Sequence, residues 1–278
     1  MILPADGHVH TQFSWDTVRG DMEGTCARAL ELGMDAVAFT EHVDHVSWPV
    51  LESDLDGHDH LKAHLQDGLL VPPRMDVEGY FACVERCRDL FPDLRIITGI
   101  EVGEPHWFGE QTAEILRSGP FERVLGSLHC VRVDGAYAEM PELYRTRPAA
   151  EAVRTYLAEI PNLVAGSDVF GVLAHIDYGI RYWPGERLGP FVPQEFEAEL
   201  RHALHALAET GRVLEFNTRG PRNPEIVRWW KEEGGEAVSF GSDAHMPSGL
   251  AFEFRAAVDL VEAQGFRPGR HPYDTWIA

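Results

Sequence analysis

The sequence predicts an α/β protein whose strands close or curl into a barrel related to the eight-stranded β/α barrel. Three observations carry that expectation. Strand-like apolar runs alternate with helical patterns from end to end, the signature of repeated β-α units around a parallel sheet. Seven such runs can be counted. Nearly every one terminates in a histidine, aspartate or glutamate, and in such barrels the chemistry sits where strands end and loops begin. The chain, at 278 residues and 44% hydrophobic, is long enough to bury one large core, so a single domain over residues 1–278 is expected.

Taken in order, the first run is "ILPADGHVH". Side chains at i and i+2 of a strand share a face, so Asp6, His8 and His10 are expected to project together as a metal-binding edge. "DAVAFTEH" ends at His42. The acidic, histidine-rich stretch 54–68 follows, with His58, His60 and His64. It reads as part of a lid or insertion around residues 44–75, over the mouth of the site; a second metal site there is the alternative. A helix is expected in "DVEGYFACVERCRDLF", with Asp76 as N-cap and Val77, Tyr80, Phe81, Val84 and Phe91 at helical spacing.

"RIITGIEVG" carries Glu101, "RVLGSLHCV" carries His129 and "VFGVLAHIDY" carries His175. The next helix places Phe196, Leu200, Leu204 and Leu207 on one stripe and stops at Gly211. "RVLEFNTR" points Glu215 and Asn217 the same way, with packing the expected role of Glu215. "NPEIVRWWKEEGG" has Asn223 as N-cap and Pro224 at the first helical position. "AVSFGSDAH" closes the series, and its Asp243 and His245 repeat the i, i+2 arrangement of the opening motif.

Composition removes several classes of function. A formal charge of -21 disfavours a protein that grips nucleic acid through its phosphates. No apolar run is long enough for a membrane span and no basic-then-apolar leader opens the chain, so a cytoplasmic protein is expected. The four cysteines form no C-x-x-C pair and read as buried or free thiols. What remains is a set of carboxylates and imidazoles at strand ends, which suits Zn, Mn and Fe alike.

The segments "DGHVHTQFSWD", "AFTEH", "TGIEVG", "LGSLH", "LAHIDY", "EFNTRG" and "GSDAH", in that order over essentially the whole chain, resemble the polymerase-and-histidinol-phosphatase (PHP) superfamily. Within it they resemble the monofunctional histidinol-phosphate phosphatases. The resemblance implies a distorted seven-stranded (β/α)7 barrel with two or three divalent ions at the C-terminal ends of the strands. One ion would be held by His8, His10, Glu101 and Asp243; a second would share Glu101 and add His129 and His175. A third would take Asp16, His42 and His245, although Asp16 reads equally as a turn or helix-cap residue.

The implied activity is hydrolysis of L-histidinol phosphate, a step of histidine biosynthesis, with Glu101 and Asp243 acting together with a metal-bridging hydroxide. Phosphate monoesters are among the slowest species to hydrolyse uncatalysed, which is why several ions are needed. Arg181 and Arg222 are the arginine forks expected to bind phosphate, Arg219 being a further candidate. Glu41, Glu104 and Asp177 are expected to orient ligands rather than transfer protons. Trp48, Trp107 and Trp183 flank the substrate or pack the rim. Two other readings stay open: a phosphoesterase for a nucleotide or other small ester or diester, and a non-catalytic metal-binding or regulatory module. Oligomeric state is unknown.

Overall fold

Strands buried on both faces need near-continuous apolar sequence, and "AVAFTEHV" and "RIITGIEVG" supply it for the two longest strands, of which nearly every residue is buried. The computed structural model describes residues 3–220, 223–271 and 273–278. Its main sheet comprises β1 (Asp6–Val9), β2 (Ala36–Val43), β3 (Arg95–Gly103), β4 (Arg123–Ser127), β5 (Val172–Leu173), β6 (Val213–Asn217), β7 (Ala237–Gly241) and β8 (Trp276–Ile277). Spatial order follows chain order. All neighbours are parallel except β7 and β8.

The sheet curls until its first and seventh strands meet at their C-terminal ends. There the His10 N–H donates to Ala244 O and the Asp243 N–H to His8 O, both at 2.8 Å. At the other end of β7 the free edge is taken by the antiparallel β8. The main sheet therefore has eight strands and not the seven counted from the sequence, because the last two-residue strand is too short to show periodicity. A helix follows each of the seven parallel strands, from Met22–Glu31 after β1 to Phe254–Ala263 after β7.

Local signals account for the helix ends. Asp76 caps Val77–Leu90 by accepting the Gly79 N–H at 3.0 Å, and Pro224 opens Pro224–Glu232. Gly211, just past Glu197–Ala208, has φ +66°, which only glycine adopts without strain. The inward stripe Phe196, Leu200, Leu204 and Leu207 is fully buried, and all four cysteines are buried and free.

Two expectations about strand ends fail. β5 stops at Leu173 and β7 at Gly241, so His175, Asp243 and His245 lie in the loops beyond, as does His129 beyond β4. Asp243 has φ +54°, so the two-residue alternation of a strand does not place it beside His245. Asp6 also turns away from the histidines. Its carboxylate accepts the N–H groups of Ser242 and Ala251, each at 2.9 Å, and ties β1 to the loop after β7; burial pushes its pKa up to about 6.

Register matters most between β2 and β3, which set His42 directly against Glu101. Tyr80, on the helix that joins them, pins both strands: its hydroxyl donates to Phe39 O at 2.8 Å and accepts the Gly99 N–H at 2.9 Å. Tyr80→Phe leaves two buried backbone groups unpaired and is expected to lower stability by about 1–3 kcal/mol. Urea unfolding with an unchanged slope measures this, and a loss below about 0.5 kcal/mol would show that the hydroxyl does not bridge the strands.

Candidate metal centre

Glu101 stands at the centre of five imidazoles. Its Oε2 lies 3.1 Å from His8 Nε2, 3.4 Å from His10 Nε2 and 3.0 Å from His42 Nδ1. Its Oε1 lies 2.7 Å from His175 Nε2 and 3.3 Å from His129 Nε2. Asp243 Oδ1 is 3.3 Å from His10 Nε2 and 3.9 Å from His8 Nε2. Asp16, in the loop after β1, brings Oδ2 to 3.0 Å from His245 Nε2 and 3.5 Å from His42 Nε2. All nine residues expected as ligands thus come together in one cluster, with His8, His10, Glu101, His175 and Asp243 buried and Asp16, His42, His129 and His245 half-buried toward the cavity.

Three of the outward nitrogens have partners of their own, whereas His175 Nδ1 is buried without one. His8 Nδ1 meets Glu215 Oε2 at 2.8 Å, and His129 Nδ1 meets Asp44 Oδ1 at 3.2 Å. His10 Nδ1 meets Ser14 Oγ at 2.9 Å; Ser14 spends its own proton on Glu41 at 2.6 Å, so the imidazole is the donor. A carboxylate likewise accepts from His8. Both inner nitrogens, 3.0 Å apart, are then bare lone pairs facing each other. Only a cation, or a proton in its place, reconciles them. Glu101 Oε2, His42 Nδ1 and Asp16 Oδ1 are buried without a hydrogen bond, although acceptors and donors crowd them. The donor set therefore fits divalent metal ions.

Electrostatics agree with the geometry. Burial alone would lower the pKa of His8, but Glu101, Glu215 and Asp243 hold it well above the usual imidazole value. His10 is driven well below that value by burial and by the neighbouring His42 and His245. Burial would raise Glu101; His8, His42 and His129 keep it far below the ordinary carboxylate range.

The supporting residues act through backbone and hydroxyl groups. Glu41 accepts from Thr11 N–H, Thr11 Oγ1 and Ser14 Oγ, which anchors the loop carrying Asp16. Glu104, at φ +46°, accepts the N–H groups of His129 and Cys130 at 2.6 and 2.8 Å; burial pushes its pKa up to about 7. Asp177, raised to about 6 by burial, lies beside Arg181. Glu215 does more than pack, since it orients His8 and accepts from the His175 N–H at 3.3 Å. Gly241 lets it do so: a Cβ there would lie 2.7 Å from both Glu215 Oε2 and His8 Cβ.

Sequence reasoning missed Asp44. It sits between His42 and His129 and accepts from Trp15 Nε1 at 2.9 Å. The signal was present, because Asp44 follows His42 at i+2 just as His10 follows His8. His58, His60 and His64 form no ligand group among the described residues; His60 Nε2 instead meets Asp16 O at 2.8 Å, and His64 packs on Trp15. Trp48 lines the cavity, whereas Trp107 packs against Tyr137 and Trp183 against Phe191 and Phe196.

Above the cluster opens a cavity of about 510 Å³, walled partly by residues 48–70. Arg181 enters it with Nη1 on Asp243 Oδ2 at 2.8 Å, while its Nε and Nη2 are buried without a hydrogen-bond partner. Arg219 donates to Asp243 O at 2.8 Å from the same wall. Arg222 lies outside the described residues.

A PHP domain family model matches residues 6–219. The chain belongs to the PHP family. This PHP chain is similar to the histidinol-phosphatase of Lactococcus lactis, 26% identical over an alignment of 274 positions that covers 94% of this chain and 91% of that protein. It is also similar to the histidinol-phosphatase of Bacillus subtilis, 25% identical over an alignment of 283 positions that covers 91% of this chain and 98% of that one. In fold it is similar to the crystal structure of histidinol phosphate phosphatase from Lactococcus lactis complexed with Zn, L-histidinol and phosphate. The TM-score is 0.80 at 23% identity, covering 96% of this chain and 95% of the other.

Glu101→Gln is expected to cost more than a single bound divalent ion per chain by plasma mass spectrometry, with circular dichroism unchanged, because one carboxylate serves the whole cluster. His129→Ala is expected to cost one ion. Full metal content in Glu101→Gln would remove Glu101 from the centre.

Proposed function

We propose that this PHP chain is a metal-dependent phosphomonoesterase that hydrolyses L-histidinol phosphate to L-histidinol and phosphate. The observation that carries this reading is the Glu101-centred donor cluster lying beside the unspent donors of Arg181 in one cavity. The whole-length similarity to proteins named histidinol-phosphatase, and to a fold solved with Zn, L-histidinol and phosphate, supports it.

In this reading two or three ions, Zn, Mn or Fe, are held by His8, His10, Asp16, His42, Glu101, His129, His175, Asp243 and His245. Bound there, they would supply a hydroxide shared between two of them as nucleophile, and positive charge for the attacking and leaving oxygens. Glu101 and Asp243 serve catalysis by fixing that arrangement. Arg181 presents Nε and Nη2 as a fork to two phosphate oxygens, with its orientation set by the ion pair to Asp243. Arg219 adds a further cation on the same wall.

Glu41 accepts hydrogen bonds on both oxygens and Glu104 accepts two backbone N–H groups on Oε1, and each so positions a loop that carries ligands. The segment around 44–75 acts as a lid that excludes water from the mouth. A cytoplasmic place in histidine biosynthesis belongs to the same reading; among the described residues no helix is long and apolar enough to cross a membrane.

Phosphate release from L-histidinol phosphate is expected to exceed that from nucleoside monophosphates and a phosphodiester, to vanish on chelation, and to return with added divalent metal. Metal-loaded protein that ignores histidinol phosphate but cleaves another ester would discard the substrate. Arg181→Met is expected to lose about tenfold or more in kcat/KM, the worth of charge-assisted hydrogen bonds to phosphate; unchanged kinetics would place the phosphate elsewhere.

A further inference from the structure

The histidine-rich stretch of the lid supplies no metal-ligand group among the described residues, yet one of its histidines reaches the metal centre. Three two-residue strands, Trp48–Pro49, Leu65–Gln66 and Leu69–Leu70, pair antiparallel as the base of the lid. Two short helical turns, Glu52–Leu55 and Asp59–Lys62, form its tip. The tip is fastened on two sides of the cavity. Asp54 Oδ2 lies 2.8 Å from Nη1 of Arg145, which belongs to the helix Met140–Thr146. On the other side His60 Nε2 lies 2.8 Å from Asp16 O, and because a carbonyl only accepts, the imidazole is the donor.

Asp16 is the expected ligand least held by the barrel itself. The other eight lie in strands of the main sheet or in the few residues beyond their ends, whereas Asp16 stands well past the end of β1. Glu41 anchors Thr11 and Ser14, and the Thr17 hydroxyl bonds back to the carbonyls of both. Among the described residues the Asp16 backbone makes one hydrogen bond, the one its carbonyl accepts from His60. Its carboxylate meets the imidazoles of His42 and His245, and its Oδ1 is buried without a hydrogen bond.

A second contact points the same way. The ring of Trp15, the residue before Asp16, meets the rings of His64 and Trp48 with centroids 5.9 and 6.1 Å away. The segment that carries Asp16 is therefore packed against the lid at two successive residues.

We propose that His60 is a positioning residue that couples closure of the lid to occupancy of the ion site at Asp16, His42 and His245. Asp16 fixed by an ion presents its carbonyl to the lid, and the closed lid holds Asp16 where that ion needs it. Such a coupling is reciprocal by thermodynamic necessity. The cavity is then covered only over a fully loaded centre. This rests on the metal centre of the phosphatase reading above and on no particular substrate.

The test titrates the metal-stripped full chain with Zn²⁺ against a chromophoric chelator, with no substrate present. His245→Ala identifies the ion concerned by losing it. His60→Leu is expected to weaken that same ion about fivefold, the worth of one hydrogen bond between neutral groups, and to leave the others unchanged. His60→Gln, whose amide can donate from the same place, is expected to keep most of the affinity. In hydrogen exchange, Zn²⁺ is expected to slow the amides of residues 52–62 in unaltered protein and to slow them less in His60→Leu. Unchanged affinity in His60→Leu, an equal loss for every ion, His60→Gln no better than His60→Leu, or a tip indifferent to Zn²⁺ each overturns the coupling. Protein that holds no ion for His245→Ala to lose overturns it as well. Phosphate release from L-histidinol phosphate, measured separately, decides the substrate whichever result is found.

Discussion

A single buried carboxylate organises this molecule. Glu101 is fully excluded from solvent and lies within 3.4 Å of nitrogens from five histidines that arrive from β1, its following residue, β2, and the loops after β4 and β5. An isolated buried carboxylate costs several kcal/mol, and so does a buried imidazolium. Gathered together with Asp243 and Asp16 they are tolerable only as a charge-balanced set, with cations among them. The curl of the sheet is what gathers them, because a flat parallel sheet would hold His8 and His175 four strands apart.

The cost of this arrangement is visible in the backbone. Glu104, His175 and Asp243 all have positive φ, at +46°, +21° and +54°, a region that side-chain-bearing residues rarely occupy and that concentrates at functional sites. Each is held by several contacts at once. Glu104 clamps two backbone N–H groups, Asp243 is tied to β1 through its own N–H and to Arg181 through its side chain, and His175 is fixed between Glu101 and Glu215. Over-determination of this kind leaves the ligand atoms little freedom to relax, which is what a site needs if it is to receive ions without rearrangement.

One cavity is lined by the metal-binding groups, by Arg181 and Arg219, and by the rings of Trp48 and Tyr178. The chain's large negative charge does not oppose a phosphate ester, since local cations and not the net charge decide the sign of the potential inside a narrow site.

Much of this was legible in the residues alone. Alternating apolar runs and helical stripes reveal an α/β sheet because burial demands that periodicity, and metal-ligand residue types stand out at strand ends because packing gives them no reason to be there. Asp76, Pro224 and Gly211 are local signals with local consequences, and the structure has each where its chemistry requires. Contacts between distant residues were another matter. That Asp6 serves backbone N–H groups and not the metal cluster and that Glu215 orients His8 follow from the closure of β1 onto the strands and loop at the other end of the sheet, whereas Asp44 joins the cluster because the pairing of β2, β3 and β4 brings it to His129. The sequence by itself determined which chemical groups the site has. Only the tertiary structure decided which atom faces which, because a side chain's partner is set by the curl and register of strands hundreds of residues apart and by loops whose geometry no periodicity encodes.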